Sequence, residues 1–178
     1  MKLEGKVAIV TAAGRGLGRG ITLALAEEGA DVVVNSYREE TTAAVADEIK
    51  AMSRRCLAIP GDITKPEKII QVLEETINTF GRIDILVNNV GSGSKTPKEP
   101  GSGPLGQIIA TWDTTYEQNL RATVLMCEAV APHFIEKGDG KIVNISSIAG
   151  RYAASVNVLE NIAPLSYASI KAGLVRQT

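Results

Sequence analysis

The chain has 178 residues, 44% of them apolar and 22% charged, which excludes wholesale disorder and provides for one packed domain over 1–178. Nineteen Lys and Arg face twenty Asp and Glu, a net charge of −1 that argues against a broad footprint on nucleic acid. Two distant cysteines and one histidine exclude a disulfide scaffold and a multi-histidine centre, so no metal site is expected.

Met1–Lys6 lacks the apolar stretch of a secretory signal, and no run approaches the ~18 apolar residues of a membrane span. A cytoplasmic protein is expected, with Cys56 and Cys127 as small buried apolar residues. Lys6–Ala12 (KVAIVTA) is a continuous β-branched run and predicts a strand buried on both faces. A glycine cluster follows, then a helix from about Leu17 to Glu28, ended by Gly29. Asp31–Asn35 predicts a second strand, Glu39–Ser53 a helix and Cys56–Pro60 a third strand. Glu67–Phe80 repeats Ile69, Ile70, Leu73, Ile77 and Phe80 at helical spacing. Ile83–Asn88 predicts a fourth strand, Thr111–Lys137 one or two helices, Lys141–Ser146 a fifth strand, and Leu165–Thr178 another helix. Trp112 and the stripe Leu120, Val124, Cys127 and Ala131 are expected in the core. Two long segments, Gly91–Pro104 and Arg151–Pro164, carry no periodicity and read as loops, either around a site or on the surface.

Alternating strands and helices predict an α/β doubly wound, three-layer sandwich around a parallel sheet. Such sheets bind ligands beyond the carboxyl ends of their strands, so the informative residues should follow the strands. Thr11-Ala12-Ala13-Gly14-Arg15-Gly16-Leu17-Gly18 lies between the first strand and the first helix. Glycines there permit a tight turn and close ligand approach, and the helix start offers N–H groups to a phosphate. The usual G-x-G-x-x-G spacing is not met, since Arg19 or Ile21 falls at its third glycine. After the second strand the chain reads Asn35-Ser36-Tyr37-Arg38, with no carboxylate before Glu39. An acid there would select NAD and repel a 2′-phosphate, whereas Arg15 and Arg38 can pair with one, so NADP is expected over NAD. Tyr167 and Lys171 stand at i and i+4 and share a helix face. A free phenol titrates near 10, and a neighbouring ammonium favours the phenolate, so the pair can act as a tuned proton donor.

Together these residues resemble the short-chain dehydrogenase/reductase family, along the whole chain and in the right order. Thr11–Gly18 is similar to the family's T-G-x-x-x-G-x-G loop, with Ala12 for the first glycine. Asp62-Ile63 resembles its adenine-contacting acid, and Asn88-Asn89-Val90-Gly91 its N-N-A-G, with Val90 for alanine. Asn119, Ser147, Tyr167 and Lys171 match its catalytic positions. The resemblance implies an oxidoreductase moving a hydride between NADP(H) and a ketone or secondary alcohol, most like 3-oxoacyl-carrier-protein reductases. It implies that Tyr167 is the acid/base and that Lys171 lowers its pKa and holds the nicotinamide ribose. Ser147 would bond the substrate oxygen, and Asn119 would hold a relay water through its backbone. Cofactor contacts would come from Thr11, Gly14, Arg15, Gly16, Leu17, Gly18, Asn35, Ser36, Arg38, Asp62, Ile63, Asn89, Val90 and Gly91, besides Tyr167 and Lys171.

Duller roles compete with these. Asn119 can bridge a helix, Asp62 can be a turn residue before Thr64, Ser146 is a second hydroxyl beside Ser147, and His133 reads as structural. The Ser147–Tyr167 interval and the Gly91–Pro104 loop are longer than the family's, which suggests an unusual substrate or a mobile lid. Five strands are counted where a full doubly wound fold has six, so a C-terminally incomplete chain with one unpaired sheet edge is expected. The implied partners are a small carbonyl or alcohol substrate and, at full length, a second or further copies in a homodimer or homotetramer. The alternatives are a catalytically inactive dinucleotide-binding fragment and, more distantly, a methyltransferase-like binder.

Overall fold

A computed structural model of the chain describes residues 1–93, 103–152 and 164–177. The expected loops at Gly91–Pro104 and Arg151–Pro164 lie largely outside the described residues. Strands β1 (Val7–Val10), β2 (Asp31–Ser36), β3 (Cys56–Pro60), β4 (Ile85–Asn88) and β5 (Lys141–Asn144) form one sheet in the order β3-β2-β1-β4-β5. The helices are α1 (Gly16–Glu27), α2 (Glu39–Ala51), α3 (Pro66–Phe80), α4 (Gly103–Tyr116), α5 (Ala122–Lys137) and α6 (Leu165–Gln177). The doubly wound parallel arrangement is the one the alternating pattern predicts.

The chain divides into two compact units. The first holds Met1–Asn89 and Leu125–Val143. Its centre is β1 and β2, where Val7, Ala8, Ile9, Val10, Val32, Val33 and Val34 are all buried. Each such Val or Ile contributes roughly 1.5–3 kcal/mol on leaving water. Parallel pairing of Val7 with Asp31 and of Ala8 with Ile85 places the ends of β2, β1 and β4 in step. The order reverses between β1 and β4, the point where sheets of this kind open a crevice for ligands. α3 begins with Pro66, whose missing N–H is not needed in a first turn. It ends at Gly81, whose φ of +73° carries its N–H back to the Ile77 carbonyl at 2.8 Å.

A buried ion ties the base of this unit together. Asp84, its side chain 2% exposed, accepts bonds from Arg82 at 2.7 and 2.8 Å, Lys137 at 2.7 Å and the Val7 N–H at 2.9 Å. Burial alone opposes the charged form, but these donors outweigh it and hold the carboxyl well below its usual range.

The second unit comprises the described parts of Val90–Val124 and Asn144–Thr178. It contains α4, a π-helical turn at Glu117–Arg121, the start of α5, a short 3-10 turn at Ile148–Gly150, and α6.

Several expectations are corrected. Helix begins at Gly103 rather than Thr111. β1 stops at Val10, because Ala12 turns left-handed at φ 50°. β4 starts at Ile85 and β5 ends at Asn144. The buried helix positions are Ala122, Met126 and Val130, one face around from the expected stripe of Leu120, Val124, Cys127 and Ala131, which is only half-buried. The π turn adds a residue to the helical repeat and shifts the phase of everything after it. Trp112 is 38% exposed rather than core, on an open α4 face with Leu105, Ile108, Ile109 and Tyr116. Cys56 and Cys127 are half-buried thiols, and desolvation pushes the Cys56 thiol up to about 12. Among the described residues no helix is long and apolar enough to cross a membrane, and no His, Cys, Asp and Glu group could hold a metal.

Candidate active site

The glycine loop of the first unit is fixed by backbone bonds from both neighbouring strands. The Thr11 N–H donates to the Val87 carbonyl at 3.0 Å, and Thr11 Oγ1 accepts the Asn89 N–H at 3.0 Å. Asn89 Nδ2 donates to the Thr11 and Ala12 carbonyls at 3.3 and 3.1 Å. From the other side, the Ala13 N–H donates to the Asn35 carbonyl at 2.8 Å. Gly16 has φ +53°, a conformation that favours glycine, and open space lies where its Cβ would be. Gly18 is demanded by contact: a Cβ would stand 2.3 Å from the Ala12 carbonyl and 2.6 Å from Asn89 Nδ2. α1 then starts at Gly16 with no side-chain cap and no acid in its first turn. Its leading N–H groups and positive dipole end are left for an anion. Leu17, 62% exposed, stands on that first turn.

Beside the loop, Arg15, Ser36, Tyr37, Arg38 and Thr41 line a cavity of about 230 Å³. Two guanidiniums and two aliphatic hydroxyls face it, with no carboxylate in the lining. Tyr37 and Thr41 were not legible as site residues. The one signal for Thr41 is its position three residues after Arg38, on the first turn of α2.

Three expected cofactor residues have structural duties here. Asn35, 1% exposed, donates through Nδ2 to the Ile59 carbonyl at 2.9 Å and to that of Gly61 at 3.4 Å. Asp62 Oδ1 accepts from the Thr64 N–H and hydroxyl at 3.0 and 2.8 Å, the turn role that competed with adenine contact. Ile63 is 3% exposed, so its side chain belongs to the core.

In the second unit, Asn119, Gly91, Tyr167 and Lys171 come together. Asn119 is fully buried in the π turn, where the Ala122 N–H reaches back to the Glu117 carbonyl. Its side chain accepts the Ser92 N–H at 3.1 Å and donates to the carbonyls of Ser92 and Thr115, each at 3.0 Å. That is the bridging role weighed against catalysis. A Cβ on Gly91 would lie 2.5 Å from Asn119 Oδ1 and 3.1 Å from Lys171 Nζ. Only glycine lets the chain after Val90 pass so close. Lys171 is 3% exposed, and its Nζ donates to the Ile145 carbonyl at 2.9 Å. The Nζ lies 5.8 Å from the centroid of the Tyr167 ring, the contact that i, i+4 spacing predicts. Desolvation lowers the Lys171 ammonium to about 8, with no carboxylate among the described residues paired to it.

The two serines part company. Ser146 Oγ donates to the Lys171 carbonyl at 3.1 Å and so spends its proton on the backbone of α6. Ser147 Oγ caps the 3-10 turn by accepting the Ala149 N–H at 3.2 Å, which uses a lone pair and keeps its proton for another acceptor. Gly150 permits the packing, since a Cβ there would lie 2.5 Å from the Lys171 backbone.

Comparison with known proteins agrees with the class this fold and these residues define. The family model for short chain dehydrogenase matches residues 6–176. The chain belongs to that family. It is 36% identical to (2S)-[(R)-hydroxy(phenyl)methyl]succinyl-CoA dehydrogenase subunit BbsD of Thauera aromatica, across 100% of this chain and 66% of that protein. It is 31% identical to the 3-oxoacyl-[acyl-carrier-protein] reductase FabG of Thermotoga maritima, across 100% of this chain and 67% of that one. A solved 7α-hydroxysteroid dehydrogenase, in complex with NADH and 7-oxo glycochenodeoxycholic acid, superposes with TM-score 0.85 at 33% identity. That match covers 99% of this chain and 64% of that structure. The chain thus spans about two thirds of the length of the relatives it matches.

Proposed function

We propose that this chain carries the dinucleotide site and catalytic residues of an NADP(H)-dependent reductase of ketones or dehydrogenase of secondary alcohols. The observation that carries the cofactor choice is the cavity of Arg15, Ser36, Tyr37, Arg38 and Thr41, whose two guanidiniums and absent carboxylate fit a phosphomonoester. The close approaches at Gly18 and the uncapped start of α1 fit a pyrophosphate. When bound, the nicotinamide supplies the hydride.

The chain's own residues supply the rest. Tyr167 donates a proton to the carbonyl oxygen, or withdraws it from the alcohol in the reverse direction. Lys171, held by the Ile145 carbonyl, places a positive charge against the Tyr167 ring, whose hydroxyl gives up the proton. Ser147, with its proton uncommitted to its own turn, steadies the substrate oxygen. Asn119 fixes the Ser92 backbone through its side chain and offers its main-chain carbonyl to a relay water.

Calorimetric titration with NADPH and NADH tests the cofactor. NADPH should bind at least about tenfold more tightly, about 1.4 kcal/mol, and Arg38→Ala should erase most of that margin while sparing NADH. Equal losses for both cofactors would remove the 2′-phosphate reading. For the chemistry, Tyr167→Phe should lower ketone reduction by about 10²–10⁴-fold with cofactor affinity nearly intact. A variant that kept most of its rate would remove Tyr167 as the acid. Wild type that binds the cofactor but turns over no ketone would instead point to the inactive-module alternative.

A further inference from the structure

The Arg38 carbonyl is crowded. It accepts the Thr42 N–H at 3.1 Å, the Thr42 hydroxyl at 2.7 Å and the Thr41 hydroxyl at 3.1 Å. A carbonyl oxygen has two lone pairs, so one of three donors is surplus. Thr42 is the fixed one: it is fully buried, and its hydroxyl is also within 3.4 Å of the Ser36 carbonyl. Thr41 is half-buried and lines the cavity with Arg15, Ser36 and Arg38. Its proton can leave the Arg38 carbonyl without orphaning that acceptor.

The glycine loop sets where this hydroxyl stands. A Cβ on Gly14 would fall 2.6 Å from Ser36 Oγ and 2.7 Å from Thr41 Oγ1. The two hydroxyls therefore lie against the bare Cα of Gly14, side by side at the edge of the cavity. We infer that Thr41 is a specificity-determining residue of the cofactor site: its hydroxyl swings from the Arg38 carbonyl to donate to a phosphomonoester held by Arg15 and Arg38. This rests on the NADP reading above and adds to it a neutral donor that discriminates the phosphate from a bare ribose hydroxyl. A phosphate dianion accepts every donor offered, whereas a ribose hydroxyl leaves the Thr41 proton where it already is.

The test uses wild type, Thr41→Val and Thr41→Ser, each titrated calorimetrically with NADPH, NADH and 2′,5′-ADP. Valine keeps the shape and removes the hydroxyl. Thr41→Val should weaken NADPH and 2′,5′-ADP by about ten- to a hundredfold, the range for one bond to a charged group. NADH should change by less than about twofold, which also reports that the variant is folded. Thr41→Ser should restore the NADPH affinity. If wild type prefers NADPH and Thr41→Val leaves the NADPH-to-NADH ratio unchanged, the role of Thr41 is overturned and the cofactor reading stands. If wild type binds both cofactors equally, the cofactor reading falls, and the role of Thr41 with it.

Discussion

Two buried charges, one in each unit, are handled in opposite ways. Asp84 is surrounded by Arg82, Lys137 and the Val7 N–H, with Lys6 at 3.7 Å, and is held charged. Lys171 has one carbonyl bond at 2.9 Å and no carboxylate among the described residues, and burial lowers it to about 8. Both side chains are almost without solvent. A satisfied buried ion joins segments distant in sequence and does no chemistry. An under-satisfied one sits close to its own titration point, here 5.8 Å from the centroid of the Tyr167 ring.

The largest effect should come from removing the satisfied ion. Asp84→Ala strands Lys137 and the Val7 N–H and should destabilise the fold by about 3–5 kcal/mol, measured by urea unfolding. The sign with pH follows from the lowered carboxyl. Its contribution is complete above the ordinary carboxylate range, near pH 4, and is lost as the pH falls below it. The difference in stability between wild type and variant should therefore narrow in acid. A cost below about 1 kcal/mol would place Asp84 among ordinary surface ion pairs and dissolve the contrast.

Lys171→Met should move stability the other way. Because folding depresses this ammonium, the charged form weakens the fold at pH values below about 8. The penalty fades as the pH rises from about 8 toward 10.5. The variant should gain on the order of 2 kcal/mol at pH 7, less at pH 10, while losing ketone reduction. Wild-type turnover that depends on the ammonium should fall as the pH passes about 8. A variant less stable at pH 7 would mean that Lys171 is a structural ion like Asp84.

The contrast also explains what the sequence made legible. Continuous runs such as Asp31–Asn35, helical repeats such as Glu67–Phe80 and a stop such as Gly29 carry the strands and helices in local pattern alone. Motif register placed Asn119, Tyr167 and Lys171, because i, i+4 spacing and family order survive without coordinates. Three things were not legible. The π turn at Glu117–Arg121 has no signature in residue type, and it rotated the core stripe to Ala122, Met126 and Val130. Asn35 reaches through Nδ2 to the Ile59 and Gly61 carbonyls, a bond to the neighbouring strand that no local pattern announces. Thr41 belongs to its cavity only because Gly14 and Ser36 pack against it, a contact across separate elements.

The smallest effect tests the backbone of the first unit. Ala12 occupies φ 50°, where the family resemblance has glycine. A non-glycine residue there costs roughly 1–2 kcal/mol, while glycine loses about 0.4–1 kcal/mol more entropy on folding. Ala12→Gly should therefore stabilise by no more than about 1.6 kcal/mol, a rise of at most about 3–6 °C in melting temperature for a chain of this size. The Ala12 carbonyl, bonded by Asn89 at 3.1 Å, keeps its acceptor role in the variant, so NADPH affinity should change by less than about twofold. A lower melting temperature would show that the Ala12 methyl packs well enough to repay its strained conformation. The loop would then be held by side-chain contact as well as by its backbone bonds to β2 and β4.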